Sequence, residues 1–217
     1  MDWSTWLPNL WSATLETLFM VGVSALLTLL AGLPLGVLLV VTDRGGLLPQ
    51  PGLHRMLGAI VNIGRSLPFI ILLVAVVPLT RALAGTTIGA RAAIVPLALA
   101  AIPFFARVCE SALREVDRGL VEAALAMGCT TRAIILKVLI PEALPALVLG
   151  LTITVISLIG YSAMAGAVGG GGLGDLAIRY GYQRFQTDVM LATVALLIVL
   201  VQGVQWLGNL LATRLRH

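Results

Sequence analysis

From Thr17 to Val41 the sequence runs for 25 residues without a charged side chain. As a helix this run reaches about 37 Å, at about 1.5 Å per residue, and exceeds the ~30 Å hydrocarbon core of a bilayer. Two more uncharged runs follow at 146–164 and 189–211. In lipid, backbone polar groups must be satisfied internally, so runs of this length point to membrane-spanning helices. Composition agrees: 59% of the chain is hydrophobic and 11% is charged, against about 25% charged in soluble domains. A soluble enzyme, a disordered chain and a nucleic-acid-binding domain are excluded. The net charge of +4 comes from thirteen Arg and the single Lys137 against ten acids, and a few loop charges read as orientation signals rather than as a phosphate-binding face.

Two less regular candidates lie between these runs. Span two covers about 56–79, with Arg65 near its start and Pro68 and Pro78 inside it. Span three covers about 92–109, with Arg107 near its end and Pro96 and Pro103 inside it. Interior prolines remove helix bonds and kink helices. The expected fold is an all-α polytopic membrane protein with five spans, four being the alternative, in one domain over 1–217. Segments 42–55, 107–142 and 212–217 then share one side and carry nine Arg or Lys, against four on the other side. That bias places the C-terminus and the 107–142 loop in the cytoplasm and the N-terminus outside. Trp3, Trp6 and Trp11 suit an outer interfacial belt and Trp206 an inner one.

Several absences shape the functional reading. The first ten residues lack the basic region of a cleavable signal peptide, so none is expected. Cys109 and Cys129 form no CxxC motif. No catalytic cluster, metal site or cofactor site is expected, since His54 and His217 each stand alone. The uncharged spans hold no acid or His relay, and Glu110 is the one acid expected near a span, which disfavours a stand-alone ion-coupled carrier. No Gly-rich P-loop precedes Lys137, so any ATP energy must come from another subunit. Gly169–Gly174 formally matches GxGxxG, but it follows a membrane helix and reads as a glycine-rich reversal.

The 107–142 loop is too patterned to be a linker. Asp117 can N-cap a short helix, Gly128 can end it in the left-handed conformation, and Thr130 or Thr131 can cap a second helix running to about Ile140. Leu120, Val121, Ala124 and Leu125 fall on one face. Pro141 and Pro145 bracket the start of span four, where proline suits a first turn. The residues alone allow either a helix pair lying on the membrane or a knob for a cytosolic partner.

At this point the loop resembles the cytoplasmic EAA loop of ABC-importer permeases. That pattern is EAA, three residues, Gly, nine residues, Ile, any residue, Leu, Pro. Glu122, Ala123, Ala124, Gly128 and Pro141 match in register, while Val138 and Ile140 depart from Ile and Leu by aliphatic changes. Arg65–Leu73, Gly160–Met164 and Gly172–Gly174 further resemble the permeases of methionine importers, over about residues 14–210. The resemblance implies a homodimer in the bacterial inner membrane, two copies of a separate ATPase subunit and an extracytoplasmic solute-binding lipoprotein. It implies that a coupling helix at Arg118–Met127 docks into each ATPase, and that transport proceeds by alternating access. Methionine is the implied substrate, and another small solute remains the alternative.

The polar side chains of span four are Thr152, Thr154, Ser157, Tyr161 and Ser162, and the pathway is expected along it. The expected gate is Tyr161, Ser162 and Met164, with Ser157 lining the path; Met164 could equally fill a helix–helix contact. Gly32-x-x-x-Gly36 allows close helix contact, either between subunits or within one. Arg65 could brace span two or touch a lipid phosphate, or it could simply snorkel to the interface.

Overall fold

The computed structural model describes residues 3–215; the side chains of Trp3 and Thr5 and the whole of Met1, Asp2, Arg216 and His217 lie outside the described residues. Every regular element is helical among those residues. Helix α1 covers Trp3–Val41 and starts well before the expected Thr17. The charge at Glu16 ended the uncharged run in the sequence but does not end the helix. Leu10 and Ala13 bury against Leu173 and Leu176, and the Glu16 carboxylate accepts a hydrogen bond from the Gly172 N–H.

The second span departs most from expectation. The chain forms three pieces: α2 over Pro51–Ser66, α3 over Phe69–Ala75 and α4 over Val77–Ala84. α2 and α3 meet at 103°. The cause is Pro68. A proline drives the residue before it out of the helical region, and Leu67 is extended at φ −85°, ψ 127°. Pro78 does not kink a helix but sits in the first turn of α4, where its missing N–H costs nothing.

The other helices extend the expected spans by a few residues: α5 over Ala90–Arg114, α8 over Ile140–Gly166 and α10 over Thr187–Arg214. Pro96 and Pro103 lie buried within α5 without breaking it. Four helical stretches are long and apolar enough to cross a membrane, and the bent α2–α3 pair makes a fifth if it counts as one span.

α1 lies along α5. Gly32 faces Phe105, and Gly36 meets Cys109 and the Ala106 carbonyl where a Cβ would have no room. The Gly32-x-x-x-Gly36 face therefore closes within the chain, so it no longer argues for a dimer. One buried cluster joins Met20, Phe69, Leu97, Leu158 and Ile159 around the middle of the bundle. A second joins Phe105, Leu113, Ala124, Ile134 and Leu139 at the end that carries the basic 107–142 segment. α10 leaves Leu191, Ile198, Val199, Trp206 and Leu207 exposed, an apolar face suited to lipid or a second copy.

Candidate coupling turn and pathway helix

The turn after α5 is built by local signals. Asp117 caps α6, Arg118–Ala126, by accepting from the Gly119 N–H at 2.6 Å. Gly128 ends α6 at φ +77°, and the Gly128 and Cys129 N–H groups return to the Leu125 and Ala124 carbonyls. This closes the helix as a left-handed cap does. Thr130 then caps α7, Thr131–Ile134, by accepting from the Ala133 N–H.

The expected separate second helix is absent. α7 runs through a π-helical turn at Ile135–Leu139 directly into α8. Pro141 has no N–H to return to the Lys137 carbonyl, and a wider turn just before it absorbs the break.

The EAA residues divide by face. Ala124 is 3% exposed and sits in the core cluster with Val116, Ile134 and Leu139. Glu122, Ala123, Gly128 and Pro141 are exposed. The single apolar face expected for Leu120, Val121, Ala124 and Leu125 is split. Val121 and Ala124 bind α6 to the bundle, while Leu120, Leu125 and Met127 point outward, Met127 at 76% exposure. A short, doubly capped helix thus rests on the bundle end with apolar side chains free on its other side. Between it and the 43–47 loop lies a cavity of about 590 Å3 lined by Val41, Asp43, Arg44, Leu113, Arg118 and Val121.

An ionic network missed by the sequence analysis sits just above this turn. Glu110, 4% exposed, pairs with Arg107 one turn before it and with Arg114 one turn after it, the latter at 2.8 Å. Arg107 also donates to Asn62 of α2 at 2.7 Å. Arg114 also pairs with Asp43 at 2.8 Å. His54 lies 3.8 Å from Asp43 and bonds through Nδ1 to the Leu39 carbonyl at 3.0 Å, so it is not isolated. Glu110 therefore ties α2 and the α1–α2 loop to the last turns of α5, three residues before α6 begins. The Arg44 N–H bonded to Asp43 holds its carboxyl below the usual aspartate range, against a smaller opposing effect of burial, and Arg114 adds to the lowering. A lowered carboxylate loses its contribution only as pH falls through the lowered value, so this tie is fully ionised at neutral pH. The i, i+3, i+4 spacing of Arg107 and Arg114 about Glu110 was the available sequence signal.

On α8 the expected pathway residues do not share one face. Ile153, Ser157, Gly160, Tyr161 and Met164 form a stripe at helical spacing. In it Ile153, Gly160 and Met164 are exposed, Met164 at 50%, and Ser157 and Tyr161 are half-buried. Tyr161 stacks flat on Phe69 of α3, ring centroids 4.7 Å apart. Ser157 bonds to the Ile153 carbonyl. Ser162 lies on the opposite side, 2% exposed, bonded to the Ile159 carbonyl at 2.7 Å. Thr152 and Thr154 are buried with their hydroxyls bonded to their own helix, and Gly208 of α10 closes directly over Thr152. Those two threonines belong to the packing and not to an open path. Arg65 ends α2 at the 103° bend, exposed and without a hydrogen bond or ion pair among the described residues.

Residues 32–217 match the family of binding-protein-dependent transport system inner membrane components. The chain belongs to this family. The probable D-methionine transport system permease protein MetI of Vibrio cholerae is 55% identical over 206 residues, covering 95% of this chain and 92% of that one. The methionine import system permease protein MetP of Bacillus subtilis is 45% identical over 205 residues, covering 94% and 92%. A solved inward-facing structure of the MetNI methionine ABC transporter contains a chain 48% identical, superposing at a TM-score of 0.96 and covering 100% of both. As an inner membrane component of this family, the chain is a multi-pass membrane protein.

Proposed function

We propose that this chain is the permease subunit of an ATP-driven methionine importer in the bacterial inner membrane. The observation that carries the reading is the full-length match, in sequence and backbone, to a chain of a methionine ABC transporter. Two copies form the translocation path, and the exposed apolar faces of α8 and α10 supply surface for that contact. A separate ATPase subunit, two copies per transporter, docks on α6 at the cytoplasmic face, and a solute-binding lipoprotein delivers substrate from the outer side. No ATP chemistry is assigned to this chain.

In this reading α6 is the coupling helix. Ala124 fixes it to the bundle, Gly128 and Asp117 fix its two ends, and Glu122, Leu120, Leu125 and Met127 meet the ATPase. Pro141 sets the π turn that carries motion from α6 into α8. ATP binding draws the two ATPase subunits together, and alternating access follows as the paired α6 helices approach. The path runs along the stripe of α8, with Ser157, Tyr161 and Met164 facing it and Ser162 bracing the gate from behind. Uncharged, weakly polar walls suit a small zwitterion with an apolar side chain, which needs passage and not tight binding.

Two introduced cysteines, in a Cys129→Ser background that keeps only the buried Cys109, test both surfaces. Met127→Cys is expected to crosslink to the ATPase subunit, and Met164→Cys to a second permease copy in at least one nucleotide state. An assembled transporter in which Met127→Cys gives no ATPase adduct contradicts the coupling assignment. Failure of Met164→Cys in every nucleotide state contradicts the gate.

A further inference from the structure

The structure places an ionisable side chain inside the longest apolar helix, and it engages a segment 156 residues away. Glu16 lies within the apolar stretch Trp6–Val41 of α1, immediately before the uncharged run that begins at Thr17. Its Oε2 accepts from the Gly172 N–H at 2.8 Å. The next residue, Thr17, accepts from the Leu173 N–H at 3.0 Å while donating to the Ala13 carbonyl. Among the described residues Glu16 has no ion-pair partner. Glu16 is exposed at the edge of the uncharged run, and its carboxylate is spent on the backbone of a distant segment rather than on an ion pair.

The groups it satisfies begin α9, Gly172–Leu176, which continues as a π-helical segment to Tyr182. The residue before α9, Gly171, supplies no side-chain cap. Glu16 and Thr17 of α1 therefore cap a helix that is not their own, with the carboxylate at the end where the peptide dipoles favour negative charge. Gly172 makes this approach possible: its φ is +73°, and a Cβ there would lie 2.6 Å from the Thr17 hydroxyl.

α9 in turn lies backbone against backbone on the last turns of α8. Gly174 meets Ala163, and Gly166 meets the Asp175 N–H, with no side chain between them to yield. A second tie fixes the same loop to α5, where the Gly89 N–H donates to the Gly169 carbonyl at 2.8 Å. The stretch 161–166 cannot shift relative to α9 without opening that contact. α9 cannot shift relative to α1 without breaking the Glu16 and Thr17 bonds.

We infer that Glu16, supported by Thr17, is a positioning residue for transport: it latches α9 to α1, so that the far end of α8 moves together with α1. This rests on the proposed transporter function. It does not require that Met164 be the gate.

The test uses the complete transporter, with its ATPase and binding protein, in proteoliposomes. It compares Glu16→Ala with Glu16→Gln, whose amide oxygen can still accept from Gly172. ATP-driven methionine uptake is measured beside hydrogen exchange of the 172–176 amides. Glu16→Ala is expected to lower uptake about tenfold and to speed exchange at 172–176 about tenfold, the order expected from losing one hydrogen bond to a charged group. Exchange in the middle of α8 should stay unchanged, and Glu16→Gln should recover both readings to within about threefold. Wild-type uptake in Glu16→Ala overturns the inference, even if exchange rises. So does a Glu16→Gln variant as impaired as Glu16→Ala. Absence of methionine uptake in the wild-type transporter would instead count against the transporter reading, and unaltered exchange at 172–176 in Glu16→Ala would still count against the latch itself.

Discussion

Ala124→Asp should reduce ATP-driven uptake about a hundredfold while the chain still inserts and purifies. Ala124 is the one EAA residue that the bundle buries, against Val116, Ile134 and Leu139. A carboxylate there is stripped of water without a built partner, which costs several kcal/mol. The bundle core can keep its packing by releasing α6, since α6 is a nine-residue surface helix. A displacement costing about 2.7 kcal/mol corresponds to a factor of about 100. The measurement is uptake beside recovery of the ATPase subunit with the purified permease, which should fall in parallel. Ala123→Asp provides the contrast, because Ala123 is exposed and its substitution leaves α6 seated. Equal effects of the two substitutions on thermal stability would contradict the placement of Ala124 as the anchor.

The second large effect concerns Glu110. Glu110→Ala leaves Arg107 and Arg114 without their shared acid. Removing one partner of a fully buried pair costs about 3–5 kcal/mol. The arginine side chains here are 31% and 45% exposed, so hydration recovers part of that loss and about 2 kcal/mol is expected. For a chain of this size that corresponds to a fall in Tm of roughly 4–8 °C. The functional effect should exceed the stability effect, because the same acid joins α2, the 42–50 loop and the end of α5 just before α6. ATP hydrolysis by the assembled transporter should therefore persist while uptake per ATP falls. Thermal melting and the ratio of methionine moved to ATP hydrolysed read the two effects separately. An unchanged Tm with unchanged coupling contradicts the role assigned to this network.

Local chemistry was the legible part of this sequence. Asp117, Gly128 and Thr130 act on backbone groups within three or four residues, so the ends of α6 and the start of α7 followed from sequence spacing. The uncharged runs likewise fixed α1, α8 and α10, because lipid leaves a chain few alternatives. Proline was ambiguous because its effect depends on what surrounds it. Pro68 follows an exposed, extended Leu67 and breaks the span, whereas Pro96 and Pro103 are buried within a continuous α5. Long-range partners were not legible. Arg107, Glu110 and Arg114 share a helix face by spacing, but nothing in the sequence pairs them with Asn62 or Asp43. Glu16 marked the edge of an uncharged run, and only the folded chain brings Gly172 to it. Ser162 was grouped with Tyr161 and Met164 by proximity in sequence, and helical geometry turns it to the opposite side.

The most direct test of the central claim is methionine accumulation in sealed proteoliposomes that contain this chain, its ATPase subunit and its binding protein, with ATP enclosed on the ATPase side. The account predicts concentrative uptake that requires all three proteins and ATP, and that drops when Gly128→Asp forces a side chain onto the left-handed end of α6. Accumulation that proceeds without the ATPase subunit, or a complete transporter that moves another solute and leaves methionine outside, would contradict it.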